Sequence, residues 1–318
     1  MDLKDRKILY QLDLNSRQSF SEIGKKVRLS KEVVQYRVRK LQEVGIITAF
    51  TTTIDSTKLG YTLFRCFVKR QNLNQKKEQE IIGYLKPKVG WVVDVRGKWD
   101  FNIAVWKKSN YEFMDFWNAF YTEFSDIILE YTCNPIPKMW LYRRGWLLNK
   151  DKDASEYDVW GGSAENIEID EIDYKIISSI VTEARKPSLE IARQLDISEG
   201  AVRMRLKQLQ KKGIILRFGV FLNTAALGMH YIKLHFNVKN IDRSKLSAIR
   251  EYVHINPYIL YANEAIGGHF LEFDLNVESH EQLYTIIEQF REKFGDIIKD
   301  YEFFEYVKEH KFEYLPKQ

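Results

Sequence analysis

The stretch "SKEVVQYRVRKLQEVGII", Ser30 to Ile47, returns as "SEGAVRMRLKQLQKKGII", Ser198 to Ile215, and no other feature of the chain constrains its fold as much. The offset of 168 positions holds without a gap from Asp5/Asp173 to Gly60/Gly228, pairing Arg17 with Arg185, Ile23 with Ile191, Val34 with Val202, Leu41 with Leu209 and Gly45 with Gly213. Further on it becomes 170, matching Gly97/Gly267, Phe124/Phe294, Asp126/Asp296 and Tyr131/Tyr301. The second copy has therefore gained two residues, a change that loops absorb. Gap-free register over such a length means one fold used twice. Between the copies, "NKDKDASEYDVWGGSAENIEI" is charged and rich in small residues, and it reads as a linker with a short helical start.

Each copy changes period part-way. Its first block carries apolar residues at helical spacing: Ile8, Leu9 and Leu12; then Phe20, Ile23 and Val27; then Val34, Val38 and Leu41 behind Ser30, which reads as an N-cap. Gly45 ends the third helix, and "IITAFTTTI" follows as a β-branched segment that reads as a wing hairpin. Two short helices and a tight turn before an exposed helix form a helix-turn-helix, whose second member enters the DNA major groove. The second block alternates strands such as "TLFRCFVKRQ" and "FNIAVWKK" with helices such as "YEFMDFWNAFYTEF" in the order β-α-β-β-α-β. The expected fold class is α+β: two tandem copies of a winged helix-turn-helix followed by a ferredoxin-like domain. Boundaries are expected at 1–56, 57–146, a linker at 147–168, 169–224 and 225–318.

Composition matters mainly through where the charge lies. The formal charge of +5 over 318 residues is modest, yet residues 1–50 hold 11 Lys/Arg against 6 Asp/Glu and residues 173–218 hold 10 against 5. Each block is thus +5 and the remainder is −5, which points the repeated blocks at a polyanion. No apolar run approaches a membrane span, and with only Cys66 and Cys133 a disulfide scaffold is excluded. A cytoplasmic protein with no membrane partner, two buried thiols and no cofactor is expected.

These motifs carry a family resemblance. "DRKILYQLDLNSRQSFSEIGKKVRLSKEVVQYRVRKLQEVGII", "TTTIDSTKLGY" and "VRGKWDFNIAV" resemble the Lrp/AsnC family of transcription regulators, the last through a glycine-x-aromatic-aspartate turn at Gly97, Trp99 and Asp100. The resemblance implies a first domain that binds promoter DNA and a second, the RAM domain, that dimerises and senses an amino acid. By that resemblance Gly97 and Asp100 are the effector-binding candidates, with a structural turn as the alternative reading. Family members usually carry one such unit and dimerise, whereas this chain fuses two, so one chain can serve as its own dimer; assembly into a homo-oligomer through the RAM domains is the other arrangement. Copy two departs from the pattern at "IGGHFLEF", where Phe270 replaces the aspartate and His269 stands in Trp99's place.

For DNA contact the candidates are Ser30, Lys31, Gln35, Tyr36, Arg37 and Arg39 on the third helix and Ser198, Arg203, Met204, Arg205 and Lys207 on its counterpart. Gln pairs bidentately with adenine and Arg or Lys with guanine. Arg37 and Arg205 lie nearer the apolar stripe and divide evenly between phosphate and an internal carboxylate. Lys25, Lys26, Arg17, Arg185 and Lys186 are phosphate candidates. The seven tryptophans, all in the first copy or the linker, read as core. The six histidines all lie in the second copy, none spaced as a finger or helical metal pair, so neither a metal site nor a catalytic residue is expected. A rival reading is a sirohaem decarboxylase on the same layout; its histidine-asparagine-tyrosine run is missing from both "VVDVRGKWDF" and "YANEAIGGHF". A weakly specific architectural DNA-binding protein is a third.

Overall fold

The computed structural model describes residues 1–318 except 73, 150–156, 163, 164, 268–270, 314, 317 and 318. The first copy runs α1 (Leu3–Leu14), α2 (Phe20–Val27), α3 (Lys31–Glu43), β1 (Ile47–Ile54), β2 (Thr62–Arg70), α4 (Gln75–Leu85), β3 (Trp91–Arg96), β4 (Phe101–Lys107), α5 (Asn110–Glu123), β5 (Ile128–Ile136), β6 (Lys138–Tyr142) and β7 (Tyr157–Gly161). The second runs α6 (Glu171–Ile180), α7 (Ser188–Leu195), α8 (Glu199–Lys211), β8 (Ile215–Leu222), β9 (His230–Val238), α9 (Arg243–Ile255), β10 (Ile259–Glu264), β11 (Leu271–Val277), α10 (His280–Phe294) and β12 (Ile298–Phe312). Helix starts follow side-chain chemistry. Reciprocal capping boxes at Asp2/Asp5 and Ser19/Glu22 open α1 and α2, and the hydroxyls of Ser30 and Ser198 accept from the backbone N–H of Val33 and Ala201.

The expected wing hairpin is not made within either copy. β1 runs straight into a 3-10 turn at Ser56–Leu59 with no return strand, and its open edge is satisfied by β8 of the other copy, antiparallel, with Phe50 opposite Val220 and Thr52 opposite Phe218. This ribbon lends each helical unit part of the other copy's core. Val220 and Leu222 pack among Ile8, Leu9 and Leu12, while Ile54 packs among Ile176, Ile177 and Ile180.

The ten remaining strands form one antiparallel sheet in the order β5-β2-β4-β3-β12-β9-β11-β10-β6-β7. Each copy contributes its four ferredoxin-like strands in the spatial order 4-1-3-2, and the copies join where β12 crosses from β9 to β3. The mirror crossing is made by the fourth strand of copy one. It breaks at Pro137, so that β5 pairs with β2 while β6 pairs with β10. Three strands separate β2 from β9 along the sheet, yet the rings of Phe67 and His235 meet edge to face at 5.3 Å. With strands about 4.8 Å apart that contact is reachable only if the sheet folds so that its halves face each other. Helices α4 and α5 cover one outer face around Phe101 and Phe120, and α9 and α10 the other around Phe236 and Phe290.

The segment expected as a linker is part of this sheet. β7 hydrogen-bonds to β6, and Trp160, almost fully buried, donates from Nε1 to the Ile54 carbonyl at 3.1 Å. A 3-10 turn at Gly145–Leu148 precedes this segment, and the helical start expected after it lies outside the described residues. Trp91, Trp99, Trp117, Trp140 and Trp146 are buried as expected. Cys66 and Cys133 stand opposite each other on β2 and β5, the first buried and the second half-buried; burial, then the neighbouring thiol, pushes the Cys66 thiol well above its ordinary range. Among the described residues no helix is long and apolar enough to cross a membrane.

Candidate nucleic-acid interface

On α3, Val34, Val38 and Leu41 are buried and fix the helix against α1 and α2. That leaves Lys31, Gln35, Tyr36 and Arg39 exposed on the opposite face, and Tyr36 is 67% exposed despite its ring. The side chains of Lys31, Gln35 and Tyr36 make no hydrogen bond or ion pair among the described residues, and that of Arg39 makes an i,i+4 pair with Glu43 at 3.2 Å. Such a pair in water contributes a few tenths of a kcal/mol and yields readily to a phosphate. On α8, Val202, Leu206 and Leu209 are buried and Arg203, Met204 and Lys207 are exposed, with Arg203 2.5 Å from Glu199 one turn back. Ser30 and Ser198 cap the two helices, whose N-terminal N–H groups suit an anion.

Four arginines leave the candidate surface. Arg37 bridges Asp2 and Asp5 at 2.8 Å each, and Arg205 bridges Asp170 and Asp173 at 2.7 and 2.8 Å, each tying a third helix to the capped start of the first. Those hydrogen bonds raise both guanidiniums above their ordinary range, while the capping backbone N–H groups of Asp5 and Asp173 first, and the guanidiniums second, hold Asp2 and Asp170 below theirs. Both arginines hold internal carboxylates, one of the two readings open for them. Arg17 and Arg185, expected on phosphate, instead cross between copies. Arg17 donates to the carbonyl of Ala184 at 2.6 Å, and Arg185 donates to those of Ser16 and Gln18 while lying over the Phe20 ring at 4.3 Å. Burial lowers both pKa values. Sequence spacing could not expose this, because the partners are backbone carbonyls of the other repeat. Lys186 is mostly covered and flanked by Glu183 and Glu190, whereas Lys25 and Lys26 stay exposed, Lys26 on Gln18 at 2.5 Å.

The Gly97–Asp100 turn is structurally committed. Asp100 accepts from the Arg70 N–H at 2.8 Å and pairs with Lys69 at 3.2 Å, and a Cβ on Gly97, whose φ is +138°, would come within 2.9 Å of the Phe304 Cβ of copy two. The glycine is there for close approach between the copies. The intervening Lys98 and Trp99 wall a cavity of about 180 Å³ between the facing halves of the sheet, shared with Phe67, Asn134, His235 and Glu272. The departure at His269 and Phe270 lies outside the described residues.

Comparison with known proteins follows this division. Residues 1–42 match the AsnC-type helix-turn-helix domain and residues 169–215 a winged helix-turn-helix DNA-binding model. An uncharacterized HTH-type transcriptional regulator of Pyrococcus furiosus is 37% identical over 101 residues, 31% of this chain and 68% of that protein. Another, from Pyrococcus horikoshii, is 34% identical over 116 residues, 36% of this chain and 77% of its own length. Among solved structures, the siroheme decarboxylase NirDL covers 97% of this chain and 92% of its own at a TM-score of 0.61 and 14% identity, a likeness of fold that spans both copies.

Proposed function

Because the chain belongs to the Lrp/AsnC family of transcription regulators, we propose that it is a single-chain pseudo-dimer that reads two unlike half-sites on double-stranded DNA. One observation carries the reading: strand exchange fixes the two helix-turn-helix units to each other while leaving the outer faces of α3 and α8 solvent-exposed and different. A two-fold arrangement spans half-sites about 34–36 Å apart, one helical turn. Gln35 suits adenine, Arg203 suits guanine, and Met204 offers an apolar contact to a thymine methyl where α3 offers Tyr36. Lys31, Lys207 and the capped helix starts serve the phosphates. The boundaries expected from sequence serve as working domains, except that β7 within 147–168 belongs to the sheet, and cytoplasmic placement and the absence of catalysis belong to the same reading.

An amino-acid effector fits the 180 Å³ cavity better than the carboxylate of Asp100, since the cavity presents Lys98 and Glu130 beside Trp99 and Phe67. It is well below the ~300–1,000 Å³ that drug-sized ligands occupy. That size speaks against a tetrapyrrole in this cavity, whereas open clefts of about 580 and 590 Å³ flank α10.

The test is selection of duplexes from a random pool, followed by fluorescence anisotropy of the whole chain over a salt series. Two dissimilar half-sites one turn apart and a preference of about 10³ or more over random DNA are expected. Salt-sensitive binding without preference would move the protein to the architectural class, and no binding would reopen the enzyme.

A further inference from the structure

The six histidines have no metal spacing along the chain, yet the fold draws two of them onto one carboxylate. His230 opens β9, His280 is the first residue of α10 behind its N-cap Ser279, and Glu305 lies midway along β12. One ligand-capable atom from each lies within 4.8 Å of the other two. His230 Nδ1 is 2.6 Å from Glu305 Oε1, and the imidazole centroids of His230 and His280 are 4.9 Å apart. We propose that these three side chains form a binding site for one divalent transition-metal ion of the zinc class.

Two imidazoles and a carboxylate are a donor set zinc takes when a fourth position is left to water. With metal–ligand bonds of roughly 2.0–2.2 Å, tetrahedral donors sit about 3.4 Å apart, so closing a 4.8 Å triangle needs side-chain rotation and no backbone movement. The backbone is held in any case. β9 and β12 are adjacent strands in fixed register, with Glu305 opposite Ile232, and α10 is anchored by the buried Leu283, Ile286 and Ile287. His280 is exposed and His230 is 37% exposed, so an ion can enter and keep a water ligand. Arg96 opposes Glu305 across the β12–β3 ladder, but it is itself solvent-exposed, where water screens its charge.

Two comparisons sharpen the assignment. The corresponding positions of copy one are Thr62, Asn110 and Pro135, which offer no such donor set, so the site belongs to the second copy alone. A second group, Glu78, Asp94 and His310, also satisfies the distance, but Arg70 Nη1 already lies 3.9 Å from Asp94 Oδ1 and its guanidinium is fixed over Phe101. A cation there would meet a standing positive charge.

The experiment is a zinc titration of the tag-free full chain by calorimetry against a chromophoric chelator, with far-UV circular dichroism on every variant. About one equivalent should bind, H280A and E305Q should each weaken it by about ten-fold or more, and H310A should leave it unchanged. His280 lies on the surface, so H280A tests the site without threatening the fold. No zinc binding by the wild-type chain, binding unaltered in H280A, or binding lost in H310A would each overturn the assignment. Cobalt provides a second readout: intense visible absorption on loading the wild-type chain, absent in H280A, is expected, and its persistence in H280A would overturn the site.

Discussion

The inward faces of the two half-sheets occupy equivalent positions and hold unlike chemistry. In copy two, Lys233 on β9 stands opposite Asp274 on β11, and His235 opposite Glu272. At the same ladder positions copy one has Arg65 opposite Ala104 and Phe67 opposite Asn102. Lys233, fully buried, lies 2.9 Å from both Glu272 and Asp274; Arg65 reaches across from copy one to Glu272 at 3.2 Å; and Tyr306 donates to Asp274 at 2.9 Å. The lysine comes from one half and the arginine from the other, so the cluster is complete only when both halves are present. A homodimer would have to place every one of these groups twice on the same interface. Fusing the copies removed that symmetry requirement and let a single cation from one half complete a charge cluster in the other. Burial alone would push the Glu272 carboxyl up, but Lys233, His235 and Arg65 together hold it below its ordinary range.

Breaking the cluster should have the largest effect. Glu272→Gln leaves Lys233 and Arg65 sharing Asp274 and should cost about 3–5 kcal/mol in urea unfolding, whereas Asn102→Ala at the equivalent place should cost only ~1 kcal/mol; equal losses would refute the asymmetry. Next comes Asp13, fully buried at the end of α1, where Arg144 pairs with it and also donates its backbone N–H at 2.8 Å. Its counterpart 168 positions on is Val181. Burial raises this carboxyl, but Arg144, Arg217 and Arg143 outweigh it and hold it below its ordinary range. Its contribution is therefore complete above about pH 4 and disappears as pH falls through the native value. Asp13→Asn should lose roughly 2–4 kcal/mol at pH 7, and the gap from wild type should close in acid. Third, Gly97 and Gly267 are equivalent glycines at positive φ; a Cβ on the first meets Phe304 Cβ at 2.9 Å, and among the described residues one on the second meets the Asn134 Oδ1 at 3.1 Å. Gly97→Ala should cost about 1–3 kcal/mol and Gly267→Ala less, read from thermal midpoints. The smallest effect expected is from Lys31→Ala and Lys207→Ala, each lowering the slope of log affinity against log salt by about 1 without altering sequence preference.

The helix-turn-helix units were legible in the sequence because their information is local. Ser30, the Val34/Val38/Leu41 stripe and Gly45 lie within one window and mean the same thing whatever the rest of the chain does. The ferredoxin-like strands were legible for the same reason. What spacing could not reveal is which polar face would be covered. "YIKLHFNV" and "FLEFDLNV" alternate as half-exposed strands do, and Lys233, His235, Glu272 and Asp274 fall on the face such alternation assigns to water. A second half-sheet lies there instead. The same blindness sent Arg17 and Arg185 to phosphate, hid the β1–β8 pairing, and left His230, His280 and Glu305 unconnected, since each depends on partners far away in sequence.

The crossing of β12 onto β3 also sets the order in which this molecule can be completed during synthesis. Trp91, Val93 and Val95 emerge early, but the strand that pairs with β3 ends at Phe312, more than 200 residues later. At about 5–20 residues per second the ribosome leaves that apolar edge uncovered for roughly 10–45 s. Throughout that interval the first half is a nascent chain with an open strand edge, and a message truncated before the codon for Phe312 yields a protein whose β3 lacks part of its partner strand.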